Sequence, residues 1–222
     1  MRTTYVRFLP AILLAAILIG CGSQNDLVVV RSDVEFSTID ARAKAKAKEP
    51  LEKFAREEEL TVEDRKALEE ARRDARSLVA YRPNAIPPNV FLGYINQALG
   101  ENEEAIMALR QVLANQPPNP EGEMRYLITD VHRIIAACLF DLKRYEESAA
   151  EFDRAIALSP ERLEIKMELA QVLIQLEQYS RAEFLLDEVL AEDPSNARAD
   201  AMKRFIRQTQ SGGSETPPTD ET

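Results

Sequence analysis

The chain has no tryptophan, one histidine, two cysteines and seven glycines in 222 residues. So little glycine argues against a β-sandwich or barrel, whose many tight turns call for residues free to adopt positive φ. Cys21 and Cys138 form no CxxC pair and join no cluster with metal-ligand spacing. The two adjacent glycines, Gly212 and Gly213, sit in a polar tail, so no phosphate-cradling loop is present. The lone His132 reads as a partly exposed helix residue rather than a catalytic base. The carboxylate pairs Glu103/Glu104 and Glu146/Glu147 open helices, where negative charge suits the helix dipole. The expectation is therefore no enzyme, no cofactor and no metal.

Positive charge is also in deficit: 38 Asp and Glu against 28 Lys and Arg give a formal net charge of -10. Such a chain repels a phosphate backbone, which excludes nucleic acid as a partner. The densest basic run, ARAKAKAKE over residues 41–49, reads as a solvated helical or flexible tether.

What is abundant is apolar and charged sequence, 45% and 30%, enough for a proper core. At the N-terminus Arg2 and Arg7 precede the run FLPAILLAAILIG, Phe8 to Gly20. It is shorter than the ~20 residues a membrane-spanning helix needs. A positive start, a short apolar run and a small residue before the cut describe a secretory signal peptide over 1–20. Leu18-Ile19-Gly20-Cys21 resembles the lipobox of bacterial lipoproteins. That resemblance implies acylation of Cys21, which stays behind as a membrane anchor, since each buried CH₂ contributes about 0.8 kcal/mol. Gly22, rather than Asp, follows the cysteine, which by the same resemblance points to the outer membrane, facing the periplasm.

Pro83, Pro117, Pro160 and Pro194 close helix-like stretches and stand 34, 43 and 34 residues apart. Aligned on them, residues 86–119, 129–162 and 163–196 form three segments of one period. Leu92, Ile135 and Leu169 share a column. Small residues recur at Gly93, Ala136 and Ala170, and again at Ala105, Ser148 and Ala182, where two helices can approach closely. Leu109, Phe152 and Leu186 then supply large apolar side chains, and Val112, Ala155 and Val189 follow. This pattern resembles the tetratricopeptide repeat (TPR), a helix–turn–helix unit. Asn89, His132 and Lys166 stand where the family often has Trp, and Asn96, Leu139 and Leu173 replace a frequent Tyr.

The resemblance implies an all-α chain: a right-handed superhelical stack of antiparallel helix hairpins with an N-terminal tether and a C-terminal capping helix. The expected order is a partly flexible lipidated tether over 21–50, then a degenerate hairpin over 51–85. Its second helix is signalled by the capping-box sequence Thr61-Val62-Glu63-Asp64 and by Leu68, Ala71, Ala75 and Leu78. The three repeats follow, with an insertion over 120–128 that starts the next helix early, near Glu123. A capping helix over 197–210 and a disordered tail over 211–222 complete the chain. LVVV, residues 27–30, reads either as a short strand or as an apolar stretch docking on the repeats.

A repeat stack presents a groove lined by the first helix of each hairpin. By the resemblance, its residues are Val90, Tyr94 and Gln97, then Arg133, Ala137 and Phe140, then Met167, Gln171 and Ile174. Aromatic, apolar and amide side chains together suit an extended or helical peptide. The two-carboxylate clamp of TPR co-chaperones is not formed, because Val90, Tyr94, Ile134, Glu164 and Glu168 occupy its places. The resulting expectation is a membrane-anchored, non-catalytic scaffold in bacterial envelope assembly that binds a protein or peptide partner. The alternatives are a self-associating structural lipoprotein, forming a homo-oligomer, and a regulatory subunit of an envelope enzyme or of a secretion or pilus system.

Overall fold

The computed structural model describes residues 28–212. The expected signal peptide, the lipobox with Cys21 and the tail from 213 onward lie outside the described residues. All regular elements among the described residues are helices, and none of those helices is long and apolar enough to cross a membrane. The chain divides into two compact units, Met1–Leu99 and Gly100–Thr222. The boundary falls inside the repeat expected over 86–119, so its two helices belong to different units.

The first unit contains α1 (Asp33–Ala55), α2 (Val62–Tyr81) and α3 (Ile86–Leu99). The tether expected over 21–50 is thus a helix from Asp33 onward. Ser32 caps α1, its hydroxyl accepting from the Glu35 amide at 3.2 Å. Ile39, Ala43, Ala47 and Pro50 are buried and fall on one helical face. Ala43 and Ala47 of the basic run therefore face the core, while Arg42 and Lys46 reach across to α2. Arg42 makes a two-point pair with Asp74 at 2.8 and 2.5 Å, Lys46 reaches Glu70 at 3.0 Å, and Lys53 reaches Asp64 at 3.1 Å.

α1 ends in a Schellman turn: Glu57 is left-handed (φ 58°), and the amides of Glu57 and Glu58 donate to the carbonyls of Phe54 and Lys53. LEKFAREEE is consequently the last turn of α1 plus a loop, not the separate first helix expected at 51. Residues 28–30 form no strand; instead the Val28 amide donates to Ser77 Oγ at 2.9 Å.

α2 starts on the expected capping box, with Thr61 Oγ1 accepting from the Asp64 amide while the Asp64 carboxylate accepts from the Thr61 amide. Leu68, Ala71, Ala75 and Leu78 are all fully buried. α3 opens with Pro87 and Pro88, whose missing N–H groups would have had no helical partner there. The buried Asn89 amide donates to the carbonyls of Pro83 and Ala85, 2.8 Å each, and holds the preceding turn.

The second unit contains α4 (Asn102–Ala114), α5 (Gly122–Asp141), α6 (Tyr145–Leu158), α7 (Leu163–Gln175), α8 (Tyr179–Glu192) and α9 (Ala197–Gly212). Each helix packs on the next. α5 begins early, as the insertion predicts, and its extra turns place Arg125 to donate to the Leu158 carbonyl at 2.8 Å. Ala136, Ser148, Ala170 and Ala182 are fully buried. At the α5–α6 contact the Ser148 hydroxyl donates to the Ala136 carbonyl at 2.7 Å.

The turns inside the hairpins repeat one device. Gly100 (φ 83°), Lys143 (φ 59°) and Glu177 (φ 57°) occupy the same place in the 34-residue register and are all left-handed. After α5 and α7 the turn is a Schellman motif: the Arg144 amide donates to the Leu139 carbonyl and the Gln178 amide to the Leu173 carbonyl, both at 2.8 Å.

The column that often holds Trp in TPRs is polar here, and its members in the second unit pair with carboxylates. Lys166 meets Glu188 at 2.9 Å. His132 is not partly exposed, as its sequence context implied, but 8% exposed, with Nδ1 against Glu151 Oε2 at 2.7 Å. Burial pushes the Glu151 carboxyl up, but the bonds from His132 and Arg154 outweigh this and hold it below the usual range. Cys138 is a free, fully buried thiol, and burial pushes its pKa up to about 12. The last helix runs through Ser211 and Gly212, so the tail does not begin at 211.

Candidate functional site

Within the first unit the groove positions divide. Tyr94 and Gln97 are partly exposed, whereas Val90 is 8% exposed. α1, where a tether was expected, packs against α3, and Val90 belongs to the unit's core rather than to an open face.

In the second unit all six expected positions are partly exposed: Arg133, Ala137 and Phe140 on α5, Met167, Gln171 and Ile174 on α7. Phe140, Met167 and Ile174 rest on the core from outside. Phe140 also lies 5.4 Å from the Tyr145 ring, within the range of favourable aromatic pairing. Side chains bridge the alternate helices of this unit and fix them as one face. Arg133 on α5 donates to Glu168 Oε1 on α7 at 3.1 Å. Arg198 on α9 donates to Gln171 Oε1 on α7 at 3.1 Å.

The floor of the face at its N-terminal end is charged. Arg162 donates to Asp130 at 2.6 Å and to Glu164 at 2.7 Å. Burial lowers the Arg162 pKa, but those two carboxylates reverse the effect and raise it. Burial pushes the Glu168 carboxyl above its usual range, and Arg133 only partly opposes it. Two polar atoms at this point are buried without a hydrogen-bond partner: Glu168 Oε2 and Arg133 Nε. Asp130 Oδ1 lies 3.9 Å from that Nε, beyond hydrogen-bond distance.

α9 adds a residue that sequence reading missed. Phe205 stands 34 residues after Gln171 and 68 after Ala137, in one column, and is 52% exposed. The 34-residue period, carried on into the helix expected as a cap over 197–210, is the signal that finds it.

Elsewhere, a cleft of about 280 Å³ includes His132, Arg154, Gln116 and Ile128 in its lining, and its histidine is the one paired with Glu151. A second cleft of about 270 Å³ in the first unit is walled by the Arg42, Lys46, Glu70 and Asp74 charge pairs. Among the described residues no group of three or more His, Cys, Asp or Glu is placed to hold a metal.

The face belongs to a repeat known from other proteins. Two tetratricopeptide-repeat family models match, over residues 92–162 and 139–204. No curated protein sequence matches the chain. Among solved structures, YrrB, described as a TPR protein with an unusual peptide-binding site, is similar at a TM-score of 0.60, with 13% identity over 93% of this chain and 86% of that one. A MamA crystal structure reaches 0.59, with 16% identity over 69% of this chain and 86% of that one. A second MamA structure reaches 0.56, with 12% identity over 82% and 99%. At these identities the likeness is one of fold. The repeat models together run from 92 to 204, about half of the chain, and with the all-helical hairpins and the recurring columns they make this a tetratricopeptide-repeat protein.

Proposed function

We propose that this protein is a non-catalytic scaffold that captures a segment of a partner protein on the face formed by α5, α7 and α9. The observation that carries the reading is the set of partly exposed side chains at matched repeat positions, Arg133, Ala137 and Phe140 with Met167, Gln171 and Ile174. Half-buried apolar side chains beside fixed polar ones are what a peptide site needs: area to cover and a few groups to set register. The peptide-binding site described for YrrB supports the same use of this fold. A photo-crosslinking residue at Gln171 should capture a discrete partner in cells, while the same residue at Ala150, on the exposed side of α6, should not. Equal capture from both positions would move the site off this face.

The reading extends to location. With acyl chains on Cys21, the scaffold is held in the cell envelope, at the outer membrane facing the periplasm, where it serves assembly of envelope proteins. A Cys21→Ala variant should then leave the membrane fraction; retention there would remove lipid on Cys21 as the anchor.

A second reading, self-association, draws on a different observation. Met107 on α4 and Phe184 on α8 share a repeat column and are 63% and 62% exposed. Light scattering separates the two: an oligomer that Phe184→Ser dissociates favours self-assembly, and a monomer disfavours it.

A further inference from the structure

Resting on the proposed groove, we infer that Tyr126 extends it with an aromatic anchor, which takes an apolar side chain flanked by Lys or Arg in the bound segment. α5 starts at Gly122, whereas α7 and α9 start at the repeat equivalents of Thr129. The seven extra residues carry α5 about 10 Å beyond them. From Ile128 to Phe140 the residues of α5 that are not buried are Asp130, Arg133, Ala137 and Phe140. They recur every three or four positions, which makes one stripe along the helix. Tyr126 continues that stripe, seven residues before Arg133, and is 47% exposed. The ring is held ready. The Arg125 guanidinium lies 4.7 Å from its centroid. That guanidinium is itself fixed by the Leu158 carbonyl at 2.8 Å and by Glu161 at 3.4 Å. A tyrosine placed in advance loses little freedom when a partner covers it. Bracing the end of α6 accounts for Arg125, but it does not call for an aromatic ring at the next position, half open to solvent.

The charge around the ring selects what flanks the apolar group. Glu123 and Asp130 stand one turn before and one turn after Tyr126 on the same helix. Glu161 and Glu164 are half exposed, while the cations bonded to them, Arg125 and Arg162, are set deeper. The outer layer is therefore negative. The same sign holds for the whole second unit: residues 100–212 carry 21 Asp and Glu against 13 Lys and Arg, whereas residues 28–99 carry 13 of each. A Lys or Arg beside the apolar group meets these carboxylates, and an acidic flank is repelled. The Arg125 charge behind the ring opposes a second cation on its open side, so the apolar group sits on the ring and the cation next to it. From Tyr126 to Phe140 is about 21 Å along α5, the reach of about six extended residues. One short segment thus touches both ends of the stripe.

The test uses a phage-displayed library of random twelve-residue peptides, selected on the intact chain in detergent micelles. Peptides that bind in the groove lose affinity on Phe140→Ala. The inference expects these to share an apolar residue with a Lys or Arg beside it, and to bind Tyr126→Ala at least fivefold more weakly. Tyr126→Phe, which keeps the ring, should stay within fivefold of the parent. Glu123→Lys, which reverses one exposed charge, should cost at least threefold at low salt and less at high salt. Helical content should be unchanged in all three variants. A loss under fivefold on Tyr126→Ala, or a loss of fivefold or more on Tyr126→Phe, overturns the anchor and leaves the groove standing. Groove peptides that share no Lys or Arg, or a loss under threefold on Glu123→Lys, overturn the basic flank and the inference with it. Failure to select any peptide sensitive to Phe140→Ala overturns the groove and the anchor together.

Discussion

The Ser148 hydroxyl donates to the Ala136 carbonyl at 2.7 Å, joining α6 to α5 where both side chains are fully buried. Ser148 stands where the neighbouring repeats have alanine, Ala105 and Ala182. The site tolerates a hydroxyl because a carbonyl lies within reach, and it has no room for more. Ser148→Ala should cost about 0.5–1.5 kcal/mol, the net worth of one hydrogen bond. Ser148→Leu should cost more, about 1–3 kcal/mol or beyond, by forcing the two helices apart. Urea denaturation of both variants checks the order; a harmless leucine would contradict close approach at this column.

The left-handed turn residues predict gains and a loss. A residue other than glycine in this conformation costs roughly 1–2 kcal/mol, partly offset by the greater entropy glycine retains when unfolded. Lys143→Gly and Glu177→Gly should each stabilise by about 0.5–1 kcal/mol. A Cβ at Gly100 would meet nothing within 4 Å, so Gly100→Ala should lose about 1 kcal/mol through backbone conformation alone. Thermal melts of the three variants read the signs.

Glu151 predicts a pH dependence. Its folded pKa lies below the ordinary 4.5, so its stabilising contribution is fully present above that value and is lost as pH falls through the folded pKa. The stability gap between the parent and Glu151→Gln should narrow as pH falls below about 4.5. Denaturant midpoints across that range test it. A gap that widens in acid would reverse the sign of the assignment.

Cys138 predicts chemical silence. Its thiol is fully buried and its pKa stands at about 12, so little thiolate exists at neutral pH and reagents cannot reach it. In a Cys21→Ala variant, which leaves Cys138 as the one thiol, a disulfide reagent should label the folded protein at the rate of unfolding, and immediately in denaturant.

The second half of the chain was legible because its signal is periodic. Columns of small and large residues at 34-residue intervals encode hairpin packing directly, and α2 announced itself by Thr61-Asp64 and the spacing of Leu68, Ala71, Ala75 and Leu78. α1 was hidden by chemistry. Alternating alanine and lysine reads as solvated, because alanine burial gives little hydropathy and because Arg42 and Lys46 find their partners, Asp74 and Glu70, only in the folded hairpin. His132 misled for the same reason: Glu151 lies 19 residues away on another helix. Val90 shares a column with Arg133 and Met167, but repeat position does not reveal that α1 packs on its helix. The Arg133–Glu168 bond needed coordinates, since its partners lie 35 residues apart on different helices.

The start of the first helix so soon after the proposed lipidation position has a mechanical consequence. Val28 is already tied to Ser77, and α1 begins at Asp33. On the proposed lipidation, the seven residue steps from Cys21 to Val28 reach at most about 25 Å, however they are arranged. The first unit would then ride against the headgroups on a short leash. A partner held on the same membrane would meet a scaffold tied there at a raised local concentration.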